Sequence, residues 1–181
     1  MADFARFLPL SQRRTGDESS VTTDRRAQIA DLVDAAARMP AVAADPELAR
    51  AFLADAGIPA EDPDLRATAE RVRSGPRRRI RDLARTTRAL LVLADRTGTT
   101  VSIPPPVAGA VALYRTTNGP FDRRAVVRGH TVRAVDQEWS FGSGPVLEAS
   151  AEQVLRFLLA LSDIPPRPPL ARSEPETTVE G

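Results

Sequence analysis

Read for the spacing of its apolar positions, the chain changes texture near Gly98. Before that point apolar residues return at helical spacing. Ile29, Leu32, Val33 and Ala36 predict a first helix, starting at Thr22 or Thr23 and ending before Pro40. Leu48, Phe52 and Leu53 predict a second. Asp45 supplies its N-cap, Pro46 fits its first position, and Glu47 complements its dipole. Gly57 can close it in the left-handed conformation, with Ile58 packing back and Pro59 preventing continuation. The opening recurs at Asp62-Pro63, with Asp62 as the expected cap, and Gly75-Pro76 breaks that third helix. A fourth, starting near Pro76, carries the stripe Ile80, Leu83, Ala84, Thr87, Leu90, Leu91 and Ala94 and ends at Gly98. Four helices with short links describe a small bundle.

Beyond Gly98 the pattern shortens. The apolar run Val107 to Tyr114 reads equally as a short helix or a buried strand, because periodicity cannot separate the two at that length. Asn118-Gly119-Pro120 is a turn. Ala125 to Val135 reads as a hairpin around Gly129-His130, where glycine at the first turn position suits type II′. Trp139–Phe141 reads as a further strand, Gly142-Ser143-Gly144-Pro145 as a turn, and Val146–Glu148 as a returning strand. Ser150 and Gln153 have capping-box spacing. Val154, Leu155, Leu158 and Leu161 face one way and Phe157 and Leu159 the other, so the last helix is expected to be buried more than halfway round. The expected class is α+β: an N-terminal helical bundle region, then a small antiparallel sheet closed by a C-terminal helix. The expected divisions are a mobile arm over 1–20, the helical region over 21–98, a small α/β domain over 99–164, and a disordered, Pro- and Glu-rich tail over 165–181.

Composition narrows the chemistry. With 181 residues, 42% of them hydrophobic and 4% aromatic, the chain can bury a core built mainly from Leu, Val and Ala. Cysteine is absent, which excludes disulfides, thiolate nucleophiles and cysteine-ligated metals. All 25 basic residues are arginine, so neither a lysine Schiff base nor a phosphate-loop lysine is possible. The net charge of +1 creates no global field. The N-terminal apolar run is short and interrupted by Arg6, and reads as neither signal peptide nor membrane span. A cytoplasmic protein without a membrane partner is the expectation.

The rare polar residues cluster between Val127 and Pro145. His130 is the only histidine and the natural general base, but such a base needs an orienting partner and a cleft. Asp136 and Glu138 lie two apart, on one face of a regular strand, and are the candidate carboxylate pair. These three are the catalytic candidates, and a solvated turn and strand end is the competing reading. One histidine with scattered carboxylates is a poor start for a metal site, so no metal and no cofactor are expected. Gly142-Ser143-Gly144 lacks the continuation of a dinucleotide loop, and Phe141 replaces the first glycine of a nucleophile elbow. Trp139 and Phe141 are expected in the core, with Arg133 and Trp139 as binding candidates. From Arg71 to Arg88 there are eight arginines and one acid, Asp82. Within that stretch Arg78, Arg81, Arg85 and Arg88 form one stripe of the fourth helix. The stripe is a candidate surface for an acidic protein or nucleic acid, although no aromatic interleaves it as a stacking platform.

Val132, Arg133, Ala134, Asp136, Trp139, Gly142, Gly144, Pro145, Ala151 and Leu155 carry a resemblance. Over about residues 131–161 the chain resembles the small C-terminal domain of mycothiol-dependent maleylpyruvate-isomerase-like proteins. The resemblance implies an N-terminal metal-binding helix bundle with histidine ligands, followed by this α/β domain. Residues 1–129 hold no histidine, so the family's metal site has no matching positions here. The resulting expectation is a non-catalytic or catalytically degenerate accessory or binding protein, a diverged relative of that family. The alternatives are a binding module using the arginine stripe and a small enzyme using His130.

Overall fold

The computed structural model describes residues 23–169. The expected 1–20 arm and most of the 165–181 tail lie outside them. Eight helices and three strands follow one another: α1 Arg26–Ala37, α2 Pro40–Ala44, α3 Pro46–Ala56, α4 Leu65–Ser74, α5 Ile80–Thr97, α6 Pro105–Asn118, α7 Phe121–Val127, β1 Thr131–Ala134, β2 Ser140–Gly142, β3 Val146–Ala149 and α8 Ala151–Leu158. The class is α+β, as the pattern predicts.

The helical half contains one helix more than predicted, the single-turn α2. Capping chemistry places α3 where the sequence does: the Asp45 carboxylate accepts the Glu47 N–H at 2.9 Å, and Gly57 closes the helix at φ 68°. The next helix starts later than expected. Asp64, not Asp62, is its N-cap, accepting from the N–H groups of Arg66 and Ala67 at 2.9 and 3.1 Å. Asp62 accepts the Asp64 N–H and so sets up the cap instead of being it. The fourth predicted helix starts at Ile80, with the Asp82 side chain accepting the Arg79 N–H at 3.0 Å. This helix, α5, is the axis of the molecule. Leu83, Leu90, Leu91 and Leu93 are buried along it, and it packs on α1, α3 and α6. One continuous apolar core runs from Ile29 to Leu159, joining the bundle to the sheet and α8.

Two readings beyond Gly98 are corrected. The first strand of the expected hairpin is the helix α7, and the ambiguous run before it belongs to the helix α6. The sheet is mixed, not antiparallel. Its order is β2-β1-β3, with β1 antiparallel to β2 (Val132 opposite Phe141) and parallel to β3 (Val132 opposite Leu147). To pair on both sides of β1, the chain must cross over the start of β1 between β2 and β3. Gly142-Ser143-Gly144 makes that crossing. Gly142 and Gly144 have φ of 94° and 107°, and a Cβ on them would collide with the carbonyl oxygens of His130 and Gly129. Thr131 fixes the crossing: its N–H bonds the Pro145 carbonyl at 2.9 Å and its Oγ1 the Gly144 carbonyl at 3.1 Å. On the other edge Arg167 exchanges two backbone hydrogen bonds with Glu148, so the start of the expected tail covers β3.

Candidate functional site

The face of the sheet carrying Val132 and Phe141 looks toward α6 and α7, and a groove of about 570 Å³ opens between them. Alternation explains its floor. Val132 and Phe141 are directly opposed on β1 and β2, so their side chains lie on one face. Phe141 stacks on Trp139 at 5.6 Å with the rings nearly parallel. Trp139 in turn rests on α6 at Gly109. The indole N–H donates to Gln137 Oε1 at 2.8 Å, and Gln137 Nε2 donates to the Ile103 carbonyl at 3.2 Å, so the Trp139–Phe141 pair is braced against the chain entering α6.

The opposite wall comes from Leu113 and Thr117 of α6 and Phe121 and Arg124 of α7. Leu113 and Phe121 are 53% and 78% exposed, an unusual presentation of large apolar side chains beside a concave surface. Two consecutive arginines divide the work of α7. The Arg123 guanidinium lies over the Phe157 ring at 4.9 Å, donates to the Ser162 carbonyl and pairs with Asp163, which pins α7 to the end of α8. Arg124 turns instead to the groove. Its Nη1 donates to the Thr117 carbonyl at 3.2 Å, while its Nε is buried without an acceptor. Arg128 and His130 complete the rim, and no Asp or Glu lines the groove.

The structure brings His130 to this rim but leaves it without a carboxylate. Its Nδ1 meets the Arg128 carbonyl at 3.2 Å, so Nδ1 is the donor of that contact. Asp136 lies beyond the far end of β1, on the order of 15 Å along the strand direction from His130. There it accepts the Ala151 N–H at 2.6 Å and serves as a cap of α8. Glu138 is exposed, and Arg133 points to the other face of the sheet and pairs with Glu148. The four arginines of the stripe also part company. Arg85 donates to the Asp55 and Ala54 carbonyls at 2.8 and 3.0 Å, capping the C-terminal end of α3, and Arg88 reaches the Leu159 carbonyl at 3.4 Å. Arg115 joins Arg88 there through the Leu158 carbonyl, and burial pushes its guanidinium below the usual arginine range. Arg78 is half-buried and lies before α5, outside the helix, so it does not join the stripe, while Arg81 is exposed in the helix's first turn. Among the described residues no three His, Asp or Glu side chains gather as a metal site requires, and no helix is long and apolar enough to cross a membrane.

Leu113, Thr117, Phe121 and Arg124 are the groove residues that sequence reasoning missed. The available signal was the start of α7, where Pro120 precedes Phe121 and an acid, Asp122, stands in the first turn. Fold and groove together define an α+β protein with a cation-rimmed apolar groove between its helices and its sheet. No protein-family model, no curated protein and no solved structure matches the chain.

Proposed function

We propose that the protein is a non-catalytic binding protein whose groove takes an amphipathic anion, an apolar body ending in a carboxylate or sulfonate. The observation carrying this reading is an apolar groove, floored by Val132 and Phe141, whose lining includes Arg124, Arg128 and His130 and no carboxylate. An oxyanion there would meet the guanidinium groups of Arg124 and Arg128 with no carboxylate competing for them. The volume of about 570 Å³ falls in the range of small-molecule sites. A non-catalytic role is supported by the isolation of His130 from Asp136 and Glu138. Descent from a maleylpyruvate-isomerase-like ancestor that lost its histidine ligands is part of this proposal. Its support is the sequence resemblance over 131–161 together with the strand–turn–strand–helix order found there.

The sole tryptophan gives the test. Anilinonaphthalene sulfonate, titrated into the folded protein, should change Trp139 fluorescence saturably with one site per chain, and decanoate should displace it. Arg124→Gln and Phe141→Ala should each weaken the probe by about tenfold, the scale of one charge-assisted hydrogen bond or one buried ring. Unsaturable binding, or equal affinity in both variants, would refute the assignment.

A further inference from the structure

A second cationic hollow lies where the chain entering α1 meets the start of α5. It has a volume of about 420 Å³ and is lined by Thr23, Asp24, Arg25, Arg77, Arg78 and Arg79, with Ile80 at its base. Arg77, Arg78 and Arg79 also form one wall of an adjoining hollow of about 410 Å³ that includes Arg81. The chain is close to neutral, and four of the eight half-buried arginines among the described residues, Arg26, Arg73, Arg123 and Arg156, pair with carboxylates. Among the described residues, Arg25, Arg77, Arg78 and Arg79 enter no ion pair, and Arg81 reaches only Asp82 at 3.5 Å. Asp24 is the one acid in this lining against four arginines, so an anion there gains from the excess positive charge.

The acids nearby are already engaged. Burial by itself would raise the Asp24 carboxyl, yet it is held below the usual carboxylate range. The N–H groups of Arg26 and Arg78 and the Arg26 guanidinium all donate to it, the last at 2.6 Å. Asp82 accepts the Arg79 N–H and so occupies the first turn of α5 itself. Arg25 Nε is buried and has no acceptor, while its Nη1 is spent on Gln28.

We propose that this hollow binds a compact polyphosphate. Guanidinium groups match phosphate oxygens in pairs, and a cluster of them suits several phosphates close together. No aromatic side chain lines either hollow, so a nucleobase has no stacking platform and the recognised chemistry is the phosphate chain alone. The site is separate from the groove and does not depend on the function proposed for it.

The test is calorimetric titration of the full chain with sodium tripolyphosphate at low ionic strength, repeated with ATP and with a short DNA duplex. Tripolyphosphate should bind one per chain, ATP should bind within a few-fold of it, and affinity should fall as salt rises. Arg77→Gln and Arg79→Gln, both exposed positions, should each weaken binding about tenfold without moving the melting temperature. Phe141→Ala, which alters the groove, should leave it unchanged. Absent tripolyphosphate binding overturns the proposal, whether or not the duplex binds. So does ATP binding much more tightly than tripolyphosphate, or equal affinity in the arginine variants.

Discussion

Ala160 has φ 56°, the only non-glycine residue with positive φ among those described. It sits at the end of α8, where its N–H bonds the Phe157 carbonyl at 3.1 Å and the Leu161 N–H bonds the Arg156 carbonyl at 2.8 Å. This pattern closes a helix best with glycine, because a Cβ in the left-handed region costs about 1 kcal/mol. Ala160→Gly should therefore stabilise the fold by up to about 1 kcal/mol, raising the melting temperature by roughly 2–4 °C. A lower melting temperature would contradict that account of the turn. Asp136 makes the opposite case. The sequence offered it as a carboxylate for catalysis, and the structure spends it on the first N–H of α8, beside the Ser150–Gln153 capping box. Asp136→Ala should cost about 1 kcal/mol in urea unfolding and leave ligand binding in the groove intact, with Asp136→Asn costing less because the acceptor survives. Loss of binding at unchanged stability would return Asp136 to the functional candidates.

Elements were legible where their ends are written in local chemistry. Asp45, Pro46 and Gly57 mark both ends of α3 because each acts within one turn of itself. Asp62-Pro63 copies that signal, yet Asp64 is the cap, since two acids flank one proline and the sequence does not say which meets the helix. Ala125-Val126-Val127 has β-type composition, yet it continues the helix that opens after Pro120 and that Arg123 pins to α8. The antiparallel expectation failed for a related reason: nothing local in Val146–Ala149 says which side of β1 it joins. The arginine stripe shows how far spacing alone can reach. Its three- and four-residue steps were visible, but the carbonyls that capture Arg85 and Arg88 belong to other helices. Arg85→Ala should destabilise the fold by about 1 kcal/mol through the freed end of α3, and Arg85→Lys should recover only part of it, because a point charge cannot serve two carbonyls as a fork does. Unchanged stability in chemical denaturation would show that the cap carries no weight.

At the scale of the molecule, one ion pair, between Arg156 of α8 and Asp95 of α5, joins the two halves among the described residues. Arg156 of α8 grips both Asp95 oxygens, at 2.8 and 2.9 Å, and Glu152 at 2.7 Å. The hydrogen bonds from Arg156 hold Asp95 below the usual carboxylate range. A carboxylate lowered in the folded state adds stability above its unfolded pKa of about 3.9, and that stability is lost as pH falls through the folded value. Asp95 is half exposed, with 53% of its side chain accessible, so solvent limits the contribution to less than about 1 kcal/mol. Asp95→Asn should be slightly less stable at neutral pH and should show a shallower loss of stability on acidification below about pH 4. An identical acid slope would remove the pair from the account.

The groove depends on this whole arrangement, since α6, α7, β1 and β2 each contribute a wall. That is why the sequence pointed to His130 on its rim and to none of the apolar residues beneath it. The most direct measurement is therefore spatial: amide chemical shifts of the labelled protein during titration with decanoate. The account predicts saturating shifts at Leu113, Thr117, Phe121, Arg124, Val132 and Phe141, lost in Arg124→Gln. Shifts confined to other surfaces, or none at all, would contradict it.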